Sequence, residues 1–212
     1  MNTQENAPLG AFSSKEREIS MKSYQNLPEG YREIYALDLQ KNKKLSILVN
    51  GIATLIAAVM VITAHLFIPV TTLYDVDVGY GFYFARLIVI LIGMFLYMVL
   101  HELTHGVAMK LCGTRKVKYG FTGMYAFAGS EDYYAKKAYI FIALAPVVLF
   151  FVIFLVLNLI LPTEWFWVVY ILQVINCSGA AGDLFVTAKF SKLPCDILVK
   201  DHGVGMTVFS KE

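Results

Sequence analysis

The chain has 212 residues, 58% of them hydrophobic and only 16% charged, with a formal net charge of +2. That composition excludes an ordinary soluble domain and points to an integral membrane protein, and so small a charge gives no footing for nucleic-acid binding. Cys112, Cys177 and Cys195 form no C-x-x-C pair, which argues against a disulfide framework or a thiolate metal site and leaves them as small packing residues.

Residues 1–44 are polar, contain the turn signal Leu27-Pro28-Glu29-Gly30 and end in Lys41, Lys43 and Lys44. They read as a cytoplasmic N-terminal tail with room for a short amphipathic helix at about residues 31–40. No secretory signal precedes the first apolar run, which is expected to stay as an anchor. That run, about Leu45 to Val70, carries no Lys, Arg, Asp or Glu and is long enough for a hydrocarbon core of about 30 Å. His65 near its far end reads as an interfacial or packed residue. A second span starts near Phe82, with Arg86 placed to snorkel towards the interface, and ends at Cys112-Gly113.

Residues 113–137 form a polar connection. Within it Val117, Tyr119, Phe121, Tyr125 and Phe127 alternate with Gly120, Thr122, Ala126 and Ala128, which allows a small β-hairpin turning near Gly123. An aromatic belt at the membrane interface fits the same residues equally well. The third span, about Ala138 to Leu161, holds Pro146 as a kink candidate. After the turn Pro162-Thr163-Glu164 the fourth runs from about Trp165 to Ala188, and residues 191–212 read as a cytoplasmic C-terminal tail. The expected fold is therefore an all-α membrane protein, with four transmembrane helices in a domain at 45–190 between two tails.

Lys and Arg crowd both tails and the 113–137 loop, whereas the 71–81 loop has only Asp75 and Asp77 and the 162–164 turn only Glu164. The positive-inside rule then puts both termini in the cytoplasm of a cell membrane, the bacterial plasma membrane being the expected one. An even number of spans satisfies that placement.

Inside the second span stands His101-Glu102-Leu103-Thr104-His105. Residues four apart share a helix face, so both imidazoles can reach one zinc ion while Glu102 stands beside it as a base. Random chains of this size show H-E-x-x-H on the order of once in a few hundred. Histidine and glutamate are also expensive in hydrocarbon, which marks the stretch as functional.

Three protein ligands and a water would make an open, catalytic zinc site. His101 lies about 18 residues into its span, roughly 27 Å at 1.5 Å per residue, and Asp183 lies about as deep in the fourth span, which runs in the same direction. Gln173, Asn176, Ala180, Asp183 and Thr187 share a face flanked by the small residues Ser178 to Gly182, so Asp183 is the expected third ligand. Glu131 is its chief rival, followed by Asp132 and His202. Asn176 is a candidate to hydrogen-bond a substrate backbone or the developing oxyanion, and an interhelical hydrogen bond suits it equally.

His101-Glu102-Leu103-Thr104-His105-Gly106 on one span, with Asp183 on a later parallel one, resembles the site-2 protease type of intramembrane metalloprotease. Over about residues 30–205 the chain is most similar to the small four-span bacterial proteins described as putative zincin peptidases. Gly182-Asp183-Leu184 stands where site-2 proteases carry Leu-Asp-Gly, no proline follows Asn176 before it, and Ala143-Leu144-Ala145-Pro146 replaces an Ala-Gly-Pro element.

The expected activity is zinc-dependent hydrolysis of a membrane-anchored protein or peptide near the cytoplasmic face, with Glu102 as general base. Gly120 and Phe121, on the hairpin, are candidates to hold an extended substrate at a strand edge. The lipid bilayer is the other expected partner. A different class of function also fits: a non-proteolytic membrane protein that uses zinc structurally and assists membrane-protein assembly or regulation.

Overall fold

The structure is a computed structural model that describes residues 22–38, 41–77, 79–123, 126–203 and 205–211. The chain divides into two compact units, one of Asn42–His105 and Ala143–Thr187, the other of Met1–Lys41, Gly106–Ile142 and Ala188–Glu212. The first is helical and the second is mixed.

Among the described residues, four stretches are long and apolar enough to cross a membrane: α1 (Lys43–Phe67), α2 (Tyr80–Leu111), α3 (Lys136–Ile160) and the broken span Thr163–Ser191. Large apolar side chains stand outward along them, among them Leu66, Leu91 and Leu159. An exposed apolar surface of that extent suggests a membrane protein.

Local interactions set the ends of α1 and α2. Asn42 caps α1 by accepting the Leu45 amide at 3.1 Å, and past its C-terminus His65 Nδ1 accepts the Val70 amide at 3.0 Å, so that histidine closes a helix end. At the end of α2, Gly113 takes a φ of +101°, the Thr114 amide reaches the Met109 carbonyl and the Gly113 amide reaches that of Lys110. This is a Schellman ending, which glycine permits and a side chain resists. The fourth span is two helices, α4 (Phe166–Gly179) and α5 (Ala181–Ser191), and Gly179 and Gly182, which hold helix weakly, flank the break at Ala180.

Within the helical unit, Trp167 and Val168 of α4 pack with Ala64 and Ile90, while Val169 packs with Tyr97, Phe150 and Phe154. The Trp167 indole donates to the carbonyls of Ile68 and Pro69, and the Tyr170 hydroxyl to that of Met60. Arg86 does not snorkel. It is 2% exposed, and its guanidinium donates to the carbonyls of Thr72, Asp75 and Glu164, because the loop and turn beside it offer acceptors that lipid does not.

The mixed unit corrects the all-α expectation to a mostly helical fold with small sheets. Strands β1 (Ser23–Tyr24), β2 (Tyr31–Asp38), β5 (Tyr133–Ala135), β6 (Leu198–Asp201) and β7 (Gly205–Lys211) form an antiparallel sheet in the order β1-β5-β6-β7-β2. Residues 31–38, where the sequence left room for a helix, pair with β7 from Tyr31↔Lys211 to Asp38↔Gly205. Tyr31 and Leu37 are buried near the two ends of β2, while Arg32, Glu33 and Ile34 are exposed where the register shifts between Glu33 and Tyr35. Tyr31, Ala135 and Leu198 form its core. Tyr134 is fully buried, and its hydroxyl bonds the Thr114 and Ser130 side chains at 2.7 and 2.6 Å.

The expected hairpin is present. β3 (Lys118–Phe121) pairs with β4 (Ala126–Gly129) in the register Lys118↔Gly129 to Phe121↔Ala126, and Gly123 has a φ of +87° near the turn. Tyr125, part of the alternation, lies outside the described residues.

Candidate metal centre

Tyr97, His101 and His105 follow one another at intervals of four on α2 and so share one stripe. The two histidine rings lie 4.9 Å apart at 79° to each other. One ligand atom from each of His101, Glu102 and His105 falls within 4.8 Å of the others. From the first turn of α5, Asp183 sets Oδ2 at 3.6 Å from His101 Nε2 and Oδ1 at 3.8 Å from His105 Nε2. The histidine side chains are 11% and 12% exposed and that of Asp183 27%, so the group is recessed with one side open.

Zinc bonds to nitrogen and oxygen of about 2.0–2.2 Å would hold tetrahedral ligand atoms roughly 3.3–3.5 Å apart. The separations of 3.6 and 3.8 Å fall within a few tenths of that. Two imidazoles and carboxylates, with no thiolate, are also the donor set zinc takes in hydrolases. The residues fit the ion.

Asn176 is completely buried. Its Nδ2 donates to the Val147 carbonyl at 3.1 Å, and its Oδ1 accepts from the Tyr97 hydroxyl at 3.0 Å. The same hydroxyl lies 2.8 Å from His101 Nδ1. Tyr97 was not among the residues singled out from sequence, although its position four before His101 was the available signal.

The other candidates belong to the mixed unit. Glu131 is an exposed carboxylate with Lys118 at 2.7 Å on one oxygen and Lys200 at 2.8 Å on the other. The hydrogen bonds and positive charge of those two ammonium groups lower its pKa to about 2. Asp132 receives no side-chain partner on Oδ2, and His202 sits in the β6–β7 turn, its amide donating to Gly205. Gly120 lies opposite Phe127, whose ring occupies the space a Cβ would need, and Phe121 is 63% exposed on β3.

Residues 94–198, just under half of the chain, match the model of a family described as "Putative zincin peptidase". The match includes His101, Glu102, His105 and Asp183. Over 123 residues, 53% of its length, the chain is 30% identical to a 24.7 kDa protein of Pyrococcus woesei described as uncharacterized. The chain spans about half of that relative, 51%. No solved structure matches. The family match supports a zincin-like family, which implies zinc and suggests a metallopeptidase.

Proposed function

We propose that the chain is an intramembrane zinc metalloendopeptidase that cuts membrane-anchored proteins or peptides near the cytoplasmic face of a cell membrane. The observation that carries this is the Asp183 carboxylate facing both imidazole Nε2 atoms, with Glu102 on the same helix. His101, His105 and Asp183 would hold the metal. When bound, zinc supplies Lewis acidity, which acidifies a water and polarises the scissile carbonyl. Glu102 takes the proton of the attacking water and delivers it to the leaving nitrogen.

A transmembrane substrate hides its carbonyls in helical hydrogen bonds and must unwind before hydrolysis. Strand β3 offers an edge for the unwound segment, with Gly120 and Phe121 in contact with it. The far side of the hairpin is closed, because Gly129 abuts the backbone of His202 and Gly203. With the basic tails and loop on the cytoplasmic side, His101 and Asp183 lie towards that side of their spans.

The test uses protein reconstituted in liposomes with a panel of single-span reporter proteins. Wild type is expected to cut at least one reporter, and Glu102→Gln to cut none while keeping its zinc. Equal cleavage by the variant would remove Glu102 from the chemistry. No cleavage by zinc-loaded wild type would favour the structural, non-proteolytic use of the metal.

A further inference from the structure

The chain His101–Tyr97–Asn176–Val147 carries protons whose positions follow from chemistry alone. The Val147 carbonyl is only an acceptor, so the Asn176 atom 3.1 Å from it is the amide nitrogen, and flipping the amide would set two oxygens against each other. The carboxamide oxygen therefore faces Tyr97 and has no proton to give. The Tyr97 hydroxyl owns one proton and spends it on that oxygen at 3.0 Å. What remains for His101 is the hydroxyl lone pair, 2.8 Å from Nδ1, which only an Nδ1–H can use.

We propose that Tyr97 and Asn176 are positioning residues that fix His101 as its Nδ1–H tautomer, leaving the Nε2 lone pair aimed at the metal position. This rests on the reading of His101 as a metal ligand. A free neutral imidazole can place its proton on either nitrogen, and a proton on Nε2 would block ligation. The relay also fixes the ring's direction. Tyr97 is 7% exposed and wedged edge-on against Phe150 and beside Phe154, with centroids at 5.2 and 5.9 Å. Asn176 is wholly buried and bonded to the backbone of α3. Neither end of the relay can turn without breaking a buried hydrogen bond.

The proton count makes an uncommon prediction about Asn176. If its oxygen is removed, the Tyr97 proton becomes free to turn towards Nδ1, and the tautomer reverses although Tyr97 is untouched. A residue that only packed would have no such effect.

The experiment is ¹⁵N NMR of histidine-labelled, metal-free, full-length protein in detergent, at a pH well above the imidazole range of about 6.5. His101→Gln identifies the His101 signal by its loss. Wild type should show the Nδ1–H form, which Tyr97→Phe should lose and Asn176→Leu should convert to Nε2–H. Zinc affinity, measured by chelator competition, should fall about 10–100-fold in both variants. An Nε2–H signal for His101 in unsubstituted protein overturns the relay, whether or not either variant folds. Undiminished zinc affinity in Tyr97→Phe overturns it as well. His105→Ala tests the underlying metal site separately: tight zinc binding by that variant would sink the site while leaving the tautomer measurement standing.

Discussion

Glu131 stands in the connection between β4 and β5 with an ammonium group on each carboxylate oxygen, whereas Asp183 stands in α5 with an imidazole nitrogen facing each of its own. Lys118 and Lys200 already satisfy Glu131, and they do so in water, where exposed pairs of this kind contribute little to stability. Asp183 faces two imidazole nitrogens instead, a donor set that would hold a divalent cation. Two carboxylates offered by the sequence for one task are separated by what surrounds them.

The comparison breaks if the two acids are interchangeable. Asp183→Ala should lose the metal, from about one zinc per chain to none by elemental analysis of detergent-purified protein, while Glu131→Ala keeps it. The reverse result would move the third ligand into the mixed unit. A smaller effect is expected where polar groups are buried without charge. Tyr134→Phe removes the hydroxyl that bonds both Thr114 and Ser130, leaving Ser130 only the Asp132 amide, and should lower stability by about 1–3 kcal/mol in a detergent melt, without changing zinc content.

The smallest effect belongs to Glu131 itself. Its pKa is depressed from an ordinary 4.5 to about 2, so its stabilising contribution is full above about pH 4.5 and is lost as pH falls towards 2. Replacing it by Gln should erase that acid-side loss, and salt should shrink the difference between the two proteins. A Glu131→Gln melt as acid-sensitive as wild type at low ionic strength would show that the paired lysines do not act on it.

The four spans and the H-E-x-x-H face were legible because each is continuous in sequence: a long apolar run needs no partner to be recognised, and two histidines four apart need only a helix. The sheet was not. β2 finds its partner β7 near the other end of the chain, and each strand is short, polar on one face and indistinguishable in composition from a solvated tail. The expectation that Asp183 lies beside the histidines came from counting residues along an unbroken fourth helix. The break at Ala180 shifts that count, and the carboxylate is brought to 3.6 and 3.8 Å by α5, a separate helix. The tyrosine relay was missed because Tyr97 reads as one more aromatic in an apolar run until its hydroxyl partners are known.

Around Ala180 the fourth span leaves the regular helix, yet the Ala180 amide still reaches the Asn176 carbonyl and the Leu184 amide that of Ala180, as hydrocarbon surroundings demand. The same stretch carries Gln173 and Asn176, which are 4% and 0% exposed. Presented alone to a bilayer, it would bring these amides and the Asp183 carboxylate into lipid, whereas α1 past Lys44 has no Lys, Arg, Asp or Glu. In the folded chain Asn176 is sheltered by α2 and α3, through the Tyr97 hydroxyl and the Val147 carbonyl. On the proposed reading, the metal site would be complete only once α5 has brought Asp183 beside the two histidines.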